Sequence, residues 1–495
     1  MSAFASLIER IDDHINPIIV KELRQVVRGK FFWAVLVLFL IFQCTVLSIS
    51  LADQSLTNTS AGVETLTFLF GILFLGCFAV IPLYSGFRFA KERQESSDEL
   101  LFITTITPHS IIFGKFAASM AFILLIFSAF APFMAMTFFL SGVDMPVMFL
   151  ILFFGLIICA TGTILQLALG SLARDSNIFN LLRGVGLFIQ VSFFFSLTGI
   201  TSEILRYGAA RTFGSTNFYA AVATVVFLIV CSAYFFYLSA AAIVSPPGSN
   251  LMLPVRRFLS RLWFFSLLVM LYWSFIEGLE IVVGWGFFSI ISLNFMMAVA
   301  VSERDYLTRR VARDLPKGAL RRRIGFVMSS GAAGGVAWCF LMLLATVVAV
   351  VMVAGILPAH RHFSTIYNNF FKFAFGFSGY LFGFCLIASF LRRTFLCKYV
   401  SIRNTWVIAL IVSAFFAFAP MLLGVFVGAK SEILMIGNPF SITSHRTEDM
   451  GLIFGIMLTI VGLVLNLPWL VRQFREFHDI NHVNFYQPEA EEAHE

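Results

Sequence analysis

Residues 16–51 read NPIIVKELRQVVRGKFFWAVLVLFLIFQCTVLSISL, and they set two kinds of helix end to end. Asn16 suits an N-cap and Pro17 the first helical position. Ile19, Leu23, Val26 and Val27 recur on one face, while Lys21, Arg24, Gln25 and Arg28 occupy the other. An amphipathic helix with a basic face that runs straight into an apolar run is suited to the membrane interface. Gly29 lets the chain bend, and Phe31–Leu51 then carries no charge at all. A bilayer crossing needs ~20 mostly apolar residues, which this run supplies. The simpler alternative for residues 16–30 is a juxtamembrane anchor with no partner.

The same reading carried along the chain predicts twelve spans. They are Phe31–Leu51, Val63–Phe87, Phe116–Leu140, Val147–Leu172, Leu181–Ile200, Phe218–Val244, Leu262–Val283, Trp285–Val301, Ile324–Ile356, Phe370–Leu391, Thr405–Gly428 and Met450–Val471. The fold class expected is therefore all-α, a polytopic integral membrane protein of about twelve transmembrane helices. Hydrophobic residues make up 59% of the chain and charged ones 12%, against about 25% charged in soluble domains.

Orientation follows from the basic residues. With the N-terminus inside, 28 of the 34 Lys and Arg fall in cytoplasmic segments; only Arg206, Arg211, Arg361, Lys372, Lys430 and Arg446 fall outside. Basic residues in short loops stay cytoplasmic, so both termini are expected inside. This parity requires two crossings within 262–301, with a tight turn expected at Gly284-Trp285-Gly286. A single bent segment there would put the basic loop from Arg304 to Arg323 outside.

Several function classes lose support. The net charge of +7 is spread over cytoplasmic loops, which suits topology and anionic lipid rather than nucleic acid. Met1–Ile15 lacks an apolar core and does not read as a cleavable signal. The seven cysteines sit in spans or beside cytoplasmic ends, so no disulfide framework is implied. His360, Arg361, His362 and His445 could meet on the outer side, and His478 and His482 share a helical face. Neither group has the carboxylate or cysteine company of a metal site, and no metal is expected. The acidic end Glu489–Glu495 reads as a tail.

A second informative stretch is Arg88–Lys115, RFAKERQESSDELLFITTITPHSIIFGK. Ser96 or Ser97 can cap a short helix whose first turn carries Asp98 and Glu99, matching the helix dipole. Thr104 and Thr105 break it. Thr107 then caps, and Pro108 opens, the helix that becomes the third span. A capped short helix held between two spans suits transmission of a rigid push from a soluble partner.

Together the two stretches resemble the permease subunits of type 2 ATP-binding-cassette (ABC) transporters. That family carries an Asn-Pro-aliphatic-aliphatic-x-Lys-Glu-Leu-Arg "elbow" helix before the first span, matched here by Asn16–Arg24. Its loop after the second span is matched by Lys91–Lys115. The resemblance covers residues 1 to about 250. It implies a transmembrane subunit, an exporter, that borrows ATP hydrolysis from a separate nucleotide-binding subunit. Docking contacts carried over are Lys21, Glu22, Arg24, Glu92, Arg93, Glu95, Asp98, Glu99, Thr104 and Thr105. Asn16, Pro17, Gly29, Thr107 and Pro108 shape these elements. Neither Gly29-Lys30 nor Gly114-Lys115 has the flanking Gly and Ser/Thr of a phosphate-binding loop. The chain is thus expected to be no enzyme and to hold no cofactor, with ATP and Mg on the partner. The implied location is the bacterial cytoplasmic (inner) membrane.

The organisation expected is a cytoplasmic N-terminus with elbow helix (1–30), a six-span permease-like domain (31–244) and a linker (245–261). A second six-span domain (262–471) and a cytoplasmic acidic tail (472–495) follow. The second half holds a faint echo of the first. Pro254-Val255-Arg256-Arg257 stands where an elbow would, and Ser302-Glu303-Arg304-Asp305 is placed like Lys91-Glu92-Arg93-Gln94. Leu307–Arg323 is a second candidate for partner contact, with topology and lipid contact as the alternative. Since the family signature is clear only once, a second copy or a related permease is an expected partner, although one chain supplying both bundles stays open. Two other function classes also stay open. One is an ion-coupled secondary transporter or channel using Glu277 and Glu280, which lie three apart and hence on one helical face. The other is a membrane scaffold that anchors a soluble partner.

Overall fold

The computed structural model describes residues 17–52, 60–94, 107–139, 145–172, 176–213, 216–246, 248–305, 309–313, 315, 318–356, 363–427, 437–439 and 448–478. Among them are twelve helices long and apolar enough to cross a membrane, and there is no strand. The protein is an all-α, multi-pass membrane protein. Helices are the natural solution for a chain in lipid, because each satisfies its own backbone N–H and C=O groups.

Two compact units divide between Pro246 and Pro247. The first contains α1 (Pro17–Arg28), α2 (Lys30–Ala52), α3 (Ser60–Phe74), α4 (Ile81–Gln94), α5 (Pro108–Phe139), α6 (Met145–Leu172), α7 (Ser176–Phe213) and α8 (Thr216–Val244). A π-helical segment, Leu75–Val80, joins α3 and α4 into one span. α6 is the central helix and packs on α4, α7 and α8, while α3 packs on α2, α5 and α7. α2 buries only Phe32, Phe39, Gln43 and Leu47, a single stripe. Its other apolar residues, such as Val37, Leu38, Ile41 and Phe42, face outward. An apolar exterior of this extent is suited to acyl chains rather than water.

Polar side chains inside this unit are bonded to backbone or to each other, as the bilayer demands. Gln43 donates to Leu69 O at 3.0 Å. Gln166 donates to Gly186 O and to Gln190 Oε1, both at 3.0 Å, and Gln190 donates in turn to Phe78 O within the π segment. Close helix approach depends on glycine: a Cβ at Gly170 would lie 2.5 Å from Gly86 O, and one at Gly86 would lie 2.7 Å from Gln166 O.

The second unit contains α9 (Leu253–Glu277), α10 (Glu280–Ala300), α11 (Arg309–Arg313), α12 (Ala319–Met328), α13 (Ala332–Ile356), α14 (Phe363–Phe371), α15 (Ser378–Thr394), α16 (Thr405–Val427) and α17 (Glu448–His478). A second π-helical segment, Lys372–Phe377, joins α14 and α15. α10 packs on α9 and α13, while α15 packs on α16 and α17. Three indoles of this unit each donate to a hydroxyl. Trp263 donates to Thr346, Trp285 to Ser266 and Trp338 to Ser260, at 2.9–3.0 Å.

Several span ends differ from the sequence reading; α5 starts at Pro108 rather than Phe116 and α17 runs to His478 rather than Val471, and three further differences lie in the second unit. The turn between α9 and α10 falls at Gly278, with φ of 112°, rather than at Gly284-Trp285-Gly286. Gly286 lies inside α10, where a Cβ would come 2.5 Å from the Phe370 ring. Glu277 thus ends one helix and Glu280 begins the next, so no single continuous helix carries both. The region expected to start a span at Ile324 is instead split, α12 ending before Ser329 and α13 starting at Ala332, with Gly331 at φ of 152° between them. The first span of this unit begins at Leu253, ahead of the expected 262, because Pro254 at its start favours helix initiation.

Candidate functional site: the cytoplasmic junctions

By the basic-residue asymmetry, the N-terminal end of α2, the C-terminal end of α4 and the N-terminal end of α5 share the cytoplasmic side. In the first unit a four-charge clasp ties them to α1. Lys115 Nζ donates to Glu22 Oε1 at 2.8 Å and also to Glu92. Arg88 reaches Glu92 Oε1 at 3.2 Å and Glu22 Oε2 at 3.4 Å, and it donates to Gln25 as well. Two acids and two bases balance. Lys115 also stands over the Phe89 ring, 5.1 Å from its centroid.

The clasp sits on an apolar footing. Ile18 is buried with Phe89, Ile111, Ile112, Leu167, Ala240 and Val244. A Cβ at Gly114 would lie 2.5 Å from Ile18 Cγ2, so the glycine lets α1 lie against α5. Sequence explains the local shapes. Pro17 opens α1, and the helix breaks between Arg28 and Lys30, where Gly29 N–H bonds Val26 O at 3.0 Å. Thr107 Oγ1 accepts the Ser110 N–H at 3.3 Å, capping α5 ahead of Pro108.

The expected docking residues divide into three groups. Lys21 and Arg24 are exposed on α1. Glu22 and Glu92 turn inward to the clasp, Glu22 being only 5% exposed, and Arg93 is half-buried. Asn16, Glu95, Asp98, Glu99, Thr104 and Thr105 lie outside the described residues. Lys115 and Arg88 were missed as site residues. Their signal was present in the two acids at positions 22 and 92, which need bases if buried.

The second unit has a junction at the corresponding places, built differently. Arg256, near the start of α9, is 1% exposed and pairs with Glu303, just past α10. It also donates to Val327 O at 3.0 Å and to Ser329 O, the carbonyls that end α12. Glu303 Oε2 accepts the Gly331 N–H at 2.8 Å. Burial pushes the Glu303 carboxyl above its ordinary value, opposed by Arg256 and by the Gly331 N–H. Nearby, Asp305 pairs with Arg392 at 3.5 Å, and burial raises its carboxyl too, against the pull of Arg393 and Arg392. Arg393 donates to Asn466 and stacks 3.5 Å over the Trp469 ring.

Pro254–Arg257 and Ser302–Asp305, the two stretches singled out in the sequence as echoes, are thus bonded to each other through Arg256 and Glu303. The polarity is reversed: the first unit places an acid on the helix ahead of its first span, and the second places a base in the first turn of its first span. Among the described residues no group of three His, Cys, Asp or Glu stands ready to hold a metal ion. His360, His362, His445 and His482 lie outside the described residues.

No family model matches the chain, and no curated protein or solved structure is significantly similar to it.

Proposed function

We propose that this protein is the membrane-spanning subunit of an ABC-type exporter, driven by a separate ATP-hydrolysing subunit. It would reside in the bacterial cytoplasmic membrane. The observation that carries the reading is the joining of two motifs, Asn16–Arg24 and Lys91–Lys115, through Glu22, Arg88, Glu92 and Lys115. The proposed docking segment, residues 92–105, leads from the end of α4 toward α5, and both helices are tied to α1 by this clasp. A push on that segment is then delivered to the elbow helix and two spans together. Rigid coupling of this kind is what a transporter with its engine on another chain requires.

The clasp refines the docking surface. Glu22 and Glu92 hold it together, while Lys21 and Arg24 stay outward for contact with acidic groups of the partner. Charge reversal at both outward residues, K21E with R24E, is expected to abolish co-purification of an ATPase carrying a phosphate-binding loop from native membranes. The thermal midpoint of the variant should stay unchanged. Wild-type co-purification and ATPase stimulation in the variant would sink this docking surface. No ATPase with the wild-type chain would sink the whole reading.

A further inference from the structure

The most telling surface outside the first junction is α12. Its ten residues turn about 100° each. On that wheel Leu320 and Ile324 form a stripe, with Arg323 on one flank and Arg321 on the other, all within an arc of roughly 160°. Leu320 is 71% exposed and Ile324 54%, and both arginines are exposed. The opposite side is fixed to the unit. Arg322 donates to His478 O at the end of α17, at 2.8 Å. Phe326 stacks edge-on against Phe474 and Phe477. The far end is held by Arg256 through Val327 O and Ser329 O, and by Asn250, which accepts the Ser330 N–H at 2.8 Å.

A water-facing helix has no reason to hold two large aliphatic side chains outward between two guanidinium groups. An interfacial one does: the aliphatic stripe enters the acyl boundary and the flanking arginines reach the phosphates above it. Only three residues, Ser329 to Gly331, separate the end of this helix from the start of α13, on the basic side of the protein. We propose that α12 is a fixed binding site for anionic phospholipid of the cytoplasmic leaflet, with Arg321 and Arg323 as headgroup ligands and Leu320 and Ile324 as its apolar floor. Because Arg322 and Phe326 anchor the helix to the end of α17, bound lipid bridges the start of α13 and the end of the last span. This inference rests only on the membrane assignment, not on the ABC reading.

The test uses the full chain in nanodiscs of phosphatidylcholine, alone or with a minority of phosphatidylglycerol, followed by native mass spectrometry of retained lipid. Each arginine near the surface contributes about fivefold to anionic-lipid affinity, so R321Q with R323Q should weaken phosphatidylglycerol retention by roughly 30-fold while leaving phosphatidylcholine untouched. L320S with I324S, which keeps both charges, should weaken retention of both lipids. Unchanged phosphatidylglycerol retention in the arginine variant overturns the proposal. So does loss of a co-purifying protein from that variant with lipid retention intact, which would make α12 a protein-docking face.

Discussion

Lys115 Nζ lies 2.8 Å from Glu22 Oε1 across 93 positions of sequence, and their side chains are only 10% and 7% exposed. Removing Lys115 leaves buried Glu22 and its neighbour Glu92 sharing Arg88 as the one remaining base of the clasp, at a cost approaching the ~3–5 kcal/mol of a broken buried pair. K115M is therefore expected to lower the melting midpoint of the purified protein sharply. Glu22→Gln should do so less, since Gln still accepts a hydrogen bond. A double-mutant cycle between the two positions should give a coupling above about 1 kcal/mol; additive effects would mean that the clasp is not a unit.

Glu303 gives a pH signature. Its folded-state value is raised above the ordinary 4.5 by burial. A carboxyl with a raised value stabilises the fold fully below its unfolded value, and this contribution is lost as pH rises through the folded one. Wild-type stability should then decline from about pH 4.5 upward by a component that Glu303→Gln removes. Melting curves over that range read it directly, and parallel profiles for the two proteins would count against it. Asp305 shifts in the same direction and is left intact in both.

Close helix packing in the first unit predicts a steep contrast between glycines. Gly170→Ala places a methyl group 2.5 Å from Gly86 O, whereas Gly199→Ala meets nothing within 4 Å. Small residues at membrane helix contacts allow backbones to approach, and overpacking costs typically 1–3 kcal/mol. The first variant should lose thermal stability in detergent, and the second should match or exceed wild type. Equal behaviour would place the α4–α6 contact in error.

Gly278 carries φ of 112° with open space around its Cβ position, so strain there comes from the backbone alone. Gly278→Ala should cost about 1–3 kcal/mol. Gly284→Ala, inside α10 with nothing within 4 Å, should be neutral or mildly stabilising. The opposite ranking, measured as melting midpoints, would restore the turn to Gly284.

Span number was legible in the sequence. It follows from runs of apolar residues punctuated by basic ones, and a run of ~20 such residues has few alternatives in lipid. Span ends were less legible, because an apolar run does not reveal where a glycine with positive φ will break it, as at Gly278 and Gly331. Helix α1 was readable for a related reason. Pro17 and Gly29 act locally, and Ile19, Leu23 and Val26 share a face in any helix.

Tertiary structure alone decided which charges are internal. In the sequence Glu22 is indistinguishable from Lys21 and Arg24 as a polar residue on a basic-faced helix. Only the arrival of Lys115 and Arg88 from two other spans turns it inward and leaves its neighbours outside. Arg256 was one of many arginines in cytoplasmic loops, all serving topology equally well by their charge. Its burial against Glu303 and the carbonyls ending α12 depends on where α9, α10 and α13 meet. The physical reason is range: helix propensity, capping and bilayer partitioning act over a few residues or along one segment. Pairing of buried charges is fixed by distances of a few ångströms between segments far apart in the chain.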